Sequence, residues 1–118
     1  MQLNKNNAGL HAEQLAATFL QSHGLKLVIA NYHCRYGEID LIMQDQKTLV
    51  FVEVRLRTNA KFGTAADSIS ASKQQKLIRA AQFYIQEQQV NSPCRFDAVL
   101  MNKVDMSYIE WIRNAIDT

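Results

Sequence analysis

Asp40 and the triplet Glu53-Val54-Arg55 are the residues whose types and spacing can do chemistry in this chain. They sit in GEIDLI (37–42) and LVFVEVRLR (49–57), two runs that read as the strands of a β-hairpin. Strand alternation sends Glu53 and Arg55 to one face and leaves Ile39, Leu41, Val50, Val52 and Val54 for the other. A turn at Asp45-Gln46-Lys47-Thr48 sets Gln44 opposite Leu49, and then Asp40 opposite Glu53 and Glu38 opposite Arg55. Residues paired in this way have Cβ atoms roughly 4.5–5.5 Å apart. Two carboxylates at that separation repel unless something positive joins them. A hard dication such as Mg2+, or Mn2+ in its place, takes oxygen ligands of this kind. With the Val54 carbonyl as a third donor, positions would remain for water and a phosphate oxygen, and a cation there favours attack by hydroxide. A second reading stays open at this level. Glu38, Arg55 and Asp40 can form an exposed cross-strand ion-pair ladder, worth at most about 1 kcal/mol.

The chain must position these groups with 118 residues, a length that suits one domain, with residues 1–7 polar and flexible. Apolar residues make up 47% and charged ones 20%, enough to bury a core and too ordinary for disorder. The net charge of +2 does not announce a nucleic-acid binder, so any basic surface must be local. Cys34 and Cys94 stand alone, with no CxxC, which argues against a disulfide framework or a zinc cluster and for a reducing compartment. His33 has no second histidine at ligand spacing and reads as a surface or turn residue. The first residues lack the apolar core of a signal peptide, and no run approaches the roughly 20 residues of a membrane span. A cytoplasmic protein without a membrane partner is the expectation.

Periodicity supplies the elements. Ala12, Leu15, Ala16, Phe19 and Leu20 predict a helix over 8–23, ended by Gly24. Glu13 lies on the flank of that stripe, where pattern alone makes it a solvated residue. LKLVIAN (25–31) predicts a strand, while 32–36 fit either a strand or a bend. The hairpin follows, then a loop from Arg57 to Thr64 with Gly63 in it. A long helix starting at Ala65 or Asp67 should run to Gln89, buried through Ile69, Leu77, Ala80, Ala81, Tyr84 and Ile85. Lys73, Lys76 and Arg79 form a ridge beside that face, either a solvated basic surface or a grip on phosphates. Pro93 follows the helix. Strands are expected at 94–101 and 106–112, joined by a turn at 102–105, with Tyr108, Ile109, Trp111 and Ile112 as core rather than an edge contact. The order α-β-β-β-α-β-β predicts an α/β fold, a mixed five-stranded sheet flanked by helices, with the long helix as a parallel crossover.

GEIDLI followed by FVEVR resembles the YraN-like small bacterial family. Further matches are Glu13, Gly24, Asn31, Tyr32, Gly63, Lys73, Arg95 to Asp97 and Asn114-Ala115, so the resemblance covers nearly the whole chain. That family looks like the restriction-endonuclease-like superfamily, with its D…(D/E)xK signature, and is similar to archaeal Holliday-junction resolvases. The resemblance implies a restriction-endonuclease-like domain over 1–118 and metal ligation by Asp40 and Glu53. It implies that Glu13 reaches a metal-bound water from the first helix, and that Lys73 contacts phosphate. DNA, branched DNA included, is the implied partner, with Lys76, Arg79 and Arg57 as further nucleic-acid contacts. Related resolvases are dimers, which implies a second copy as partner, although no dimer face is read here. Two positions depart from the pattern. Ala12 stands where glycine often precedes the glutamate. Arg55 stands in place of lysine and cannot act as a base. A magnesium-dependent DNA endonuclease, a non-catalytic nucleic-acid binder of the same fold and an interaction scaffold are the three functions to separate.

Overall fold

The computed structural model describes residues 7–57, 69–103 and 105–116. Among these residues seven elements follow one another: α1 (Asn7–Ser22), β1 (Lys26–Cys34), β2 (Gly37–Asp45), β3 (Thr48–Arg57), α2 (Ala71–Glu87), β4 (Cys94–Asn102) and β5 (Ile109–Ile112). The five strands form one sheet in the order β1-β2-β3-β4-β5. β3 and β4 are parallel and the other neighbours antiparallel, as a helical crossover through α2 requires. This is the α/β fold with a mixed sheet and two helices expected from the periodicities. The loop from Thr58 to Thr64 with Gly63, the early helix start at Ala65 or Asp67, the first six residues of the polar N-terminus and Val104 of the turn lie outside the described residues.

Each helix ends where its backbone groups find partners. Gly24 takes a φ of +94°, and the Leu25 N–H donates to the Leu20 carbonyl at 3.1 Å. Leu25 is itself buried, which completes a Schellman-type stop. α2 starts at Ser70, whose Oγ accepts the Lys73 N–H at 3.2 Å. It ends with Gln89 left-handed and the Val90 N–H on the Ile85 carbonyl, four residues before Pro93 could continue it.

The sheet separates two cores. On the α2 side, Leu77, Ala80 and Ala81 meet Ile42, Leu49, Phe51, Phe96, Ala98 and Leu100. Ile69 joins this core from just before the helix rather than from within it. On the α1 side, Ala12, Ala16, Ala17 and Leu20 meet Leu41, Met43, Val50, Val52, Val99 and Met101. Small alanines let α1 lie close to the sheet, and Phe51 packs on Phe96 at 5.4 Å between ring centroids on the other side.

Three expectations are corrected and one open alternative is settled. Ile39 joins the α2-side core, while Leu41 joins the α1-side core, so they do not share a face. Regular alternation breaks between them, at Asp40, opposite the point where Asn31 of β1 turns left-handed (φ 55°). β1 runs on to Cys34, which settles residues 32–34 as strand and leaves Arg35-Tyr36 as the turn. β5 begins only at Ile109, because Asp105 Oδ1 accepts the Ser107 N–H (3.1 Å) and hydroxyl (2.6 Å) and holds that segment as a turn. β5 is an edge strand: Tyr108 before it is 52% exposed rather than core, while Ile109 and Trp111 pack half-buried against the α1-side core and Ile112 against the α2-side core.

Candidate active site

Hairpin register places the two acids. Gln44 stands opposite Leu49 and Leu41 opposite Val52, as a turn at 45–48 demands. The ladder stops there, one step short of Asp40 and Glu53. Neither this pair nor Glu38 with Arg55 is a ladder pair, which corrects the simple extrapolation. Past Leu41 the Asp40 side chain takes over: its Oδ2 accepts the Val54 N–H at 2.8 Å. The strands part there, and a cleft of about 470 Å3 opens at their ends.

Asp40, Glu53 and Glu13 all line this cleft, and all three are buried. Burial of Glu13 corrects its pattern-based placement in solvent. Gly9 and Ala12 of α1 line the cleft as well. Glu13 comes from α1, on one face of the sheet; Lys73 comes from the first turn of α2, on the other. Both helices and the parted hairpin meet at that end of the sheet.

Glu53 is the electrostatic centre. Its Oε2 lies 3.4 Å from Arg55 Nη1 and 3.9 Å from Lys73 Nζ. Both cations are about one-third exposed, so water screens them. Desolvation by burial and the neighbouring Asp40 carboxylate outweigh them and push the Glu53 carboxyl up to about 8. Glu53 Oε1 and Arg55 Nε are both buried, and neither has a hydrogen-bond partner among the described residues. A buried acceptor or donor left open costs about 1–3 kcal/mol. An acceptor and a donor left open two residues apart suit a ligand that is cationic at one end and anionic at the other.

The donor set suits a hard cation. Among the described residues, no three His, Cys, Asp or Glu side chains are gathered as a closed metal cage. Two carboxylates with open space beside them match Mg2+, which keeps several waters and rarely uses an all-protein cage. Cys34 and Cys94 are free thiols, and His33 is exposed on β1.

The basic residues divide. Lys73, Arg55 and Arg57 line the cleft, with Arg57 Nη1 donating to the Leu56 carbonyl at 3.4 Å. Lys76 and Arg79 are exposed further along α2 and lie outside it. Lys76 of α2 lies beside Gly37, whose φ of +147° is what calls for glycine in the β1–β2 turn.

Sequence reasoning gave Asp97 no role. Its carboxylate is buried and accepts bonds from Arg95 Nε (3.0 and 3.2 Å), Trp111 Nε1 (3.0 Å) and the Asn114 N–H (3.1 Å). Arg95 also bridges to Asp45 at 3.0 Å. The RFD run therefore anchors β5 and the C-terminal turn. A strand-interior aspartate with arginine two positions away was the available signal.

Residues 12–101 match the uncharacterised protein family UPF0102. The chain is 55% identical over 111 residues to a UPF0102 protein of Nitrosomonas europaea, covering 94% of each chain. It is 56% identical over 109 residues to one of Nitrosospira multiformis, covering 92% of each. A UPF0102 protein of Methylobacillus flagellatus shares 51% over 107 residues, 91% of this chain and 94% of its own. The chain belongs to the UPF0102 family.

Proposed function

We propose that this UPF0102 protein is a restriction-endonuclease-like, Mg2+-dependent nuclease that hydrolyses phosphodiesters in DNA. The observation that carries this reading is the buried pair Asp40 and Glu53 in a cleft rimmed by Arg55, Arg57 and Lys73. Buried acids beside cations and open space are what a site for a cation and a phosphate needs.

Asp40 and Glu53 would hold the metal, with Mn2+ as a substitute. When bound, it supplies Lewis-acid activation of water and neutralises charge on the phosphate. The Val54 N–H orients Asp40 by its bond to Oδ2, so that carboxylate keeps its place in the free protein. Arg55 stays protonated and offers the open Nε–H to a phosphate oxygen, stabilising charge rather than moving a proton. Lys73 and Arg57 add positive charge on either side of the phosphate. Glu13, buried on α1 and lining the same cleft, would reach a metal-bound water.

Cleavage of junction, flap and duplex DNA by the protein, Asp40→Asn and Glu53→Gln tests this. Cutting that needs Mg2+ and disappears in both variants is expected; equal cutting by parent and variants would mean a contaminant. Mn2+ should also raise the melting temperature of the parent and not of Glu53→Gln.

Arg55 in place of lysine favours a second reading, a DNA-binding protein of the same fold that does not cut. Salt-sensitive binding without cleavage at any metal concentration would select it.

A further inference from the structure

A smaller groove of about 220 Å3 is lined by Tyr36, Arg79, Gln82, Phe83 and Gln86. Tyr36 stands in the β1–β2 turn and Phe83 on α2; their ring centroids are 5.6 Å apart and tilted by 59°. Arg35 Nη2 donates to the Tyr36 hydroxyl at 2.9 Å, and the Arg35 guanidinium lies 5.0 Å from the ring centroid. Tyr36 is thus held on two sides while 37% of it faces solvent. A surface aromatic fixed in this way can take a partner with little further loss of freedom.

Arg79 is the one charged residue among those lining the groove. None of its lining residues is acidic, and α2 carries no Asp or Glu until Glu87 at its last position. Lys73 lines the cleft and Arg79 the groove, with Lys76 between them on the same ridge. Six residues of helix span about 9 Å, short enough for one nucleic-acid strand to touch both ends. Aromatic rings set among cations bind unpaired bases, because every base has a stacking face and its backbone is anionic. Paired bases inside a duplex keep those faces against one another and cannot reach such a ring.

We infer that Tyr36 and Phe83 are a stacking platform for one unpaired base of a DNA strand whose backbone follows Arg79 and Lys76 toward the cleft. This rests on the proposed function and narrows its substrate to DNA with unpaired nucleotides beside the phosphate that is attacked. Arg35 backs the Tyr36 ring and adds a further cation to the strand's path.

The test is binding in EDTA, where no cleavage occurs, to a blunt duplex and to the same duplex with a single-stranded flap carrying 2-aminopurine. The parent should prefer the flap and quench the probe. Tyr36→Ala and Phe83→Leu should each weaken flap binding by about ten-fold, leave duplex binding unchanged and relieve quenching. Tyr36→Phe should behave as the parent, since it keeps the ring, and circular dichroism should show each variant folded. Equal affinity of the parent for flap and duplex, or undiminished flap binding by Tyr36→Ala, overturns the platform. Either result leaves the nuclease reading standing if Asp40-dependent cutting is seen. Absence of all DNA binding at low salt overturns both.

Discussion

The Val54 N–H donates to Asp40 Oδ2 at 2.8 Å, just past the last ladder pair of β2 and β3, Leu41 with Val52. A side chain here does the work of the missing backbone carbonyl. The bond satisfies a strand N–H that would otherwise be orphaned and keeps the Asp40 carboxylate beside Glu53. Holding the acid and parting the strands are one event, so the cleft and its carboxylates form together.

Asp40→Ala should destabilise the fold by about 1.5–3 kcal/mol, the range for a hydrogen bond to a charged acceptor. Asp40→Asn can still accept the Val54 N–H through its amide oxygen and should lose less. Urea unfolding of both variants measures the difference, and equal stability of Asp40→Ala and the parent would show that the bond contributes nothing.

Glu53 sets a pH dependence in metal-free buffer. Its folded pKa of about 8 lies above the ordinary value of 4.5, so between these the folded state holds a proton that the unfolded state has lost. Stability should therefore fall as pH rises from about 4.5 to about 8 and level off above that. Glu53→Gln should remove most of this slope and be more stable than the parent at pH 8. Urea midpoints across the range check it; identical slopes in the two proteins would contradict the burial of this charge.

Mg2+ or Mn2+ at pH 8 should stabilise the parent, because a cation that binds only the folded state shifts the equilibrium toward it. Calorimetric or fluorescence melting with and without metal reads the effect. Asp40→Asn and Glu53→Gln should show little or none.

Asp97→Ala should cost about 1–3 kcal/mol, since it removes the acceptor of the Asn114 N–H and one of the two carboxylates on Arg95, which keeps Asp45 at 3.0 Å. The Trp111 indole N–H loses its acceptor in the same variant, so its emission should shift. Unfolding followed by tryptophan fluorescence measures both.

Lys76→Ala and Arg79→Ala should each weaken DNA binding without regard to sequence. Each should also reduce the slope of log affinity against log salt by about 1. Arg55→Ala should lower cleavage by about 10²-fold if its role is to stabilise charge. Arg55→Lys should retain it.

Much of this protein is legible in its residue order. Helix stripes, strand alternation and the GEIDLI–FVEVR spacing yield the element order, the mixed sheet and the hairpin register, because each depends on neighbours along the chain. Asp40 and Glu53 stand out for the same reason: a charge inside an apolar alternation is visible without coordinates. The helical pattern puts Glu13 in solvent, but its burial comes from the packing of α1 against β1 and β2, which the pattern does not show. Asp97 went unread because its partners Trp111 and Asn114 lie a β-turn and a strand away.

The sequence by itself determined which segments extend, which coil and the hairpin register as far as Leu41 with Val52. Only the tertiary structure decided where that hairpin comes apart, that alternation breaks between Ile39 and Leu41, and that α1 and α2 deliver Glu13 and Lys73 to one gap from opposite faces. The physical reason is range. Periodicity is enforced residue by residue by backbone sterics. The end of a ladder and the meeting of two helices at it depend on the packing of both cores at once.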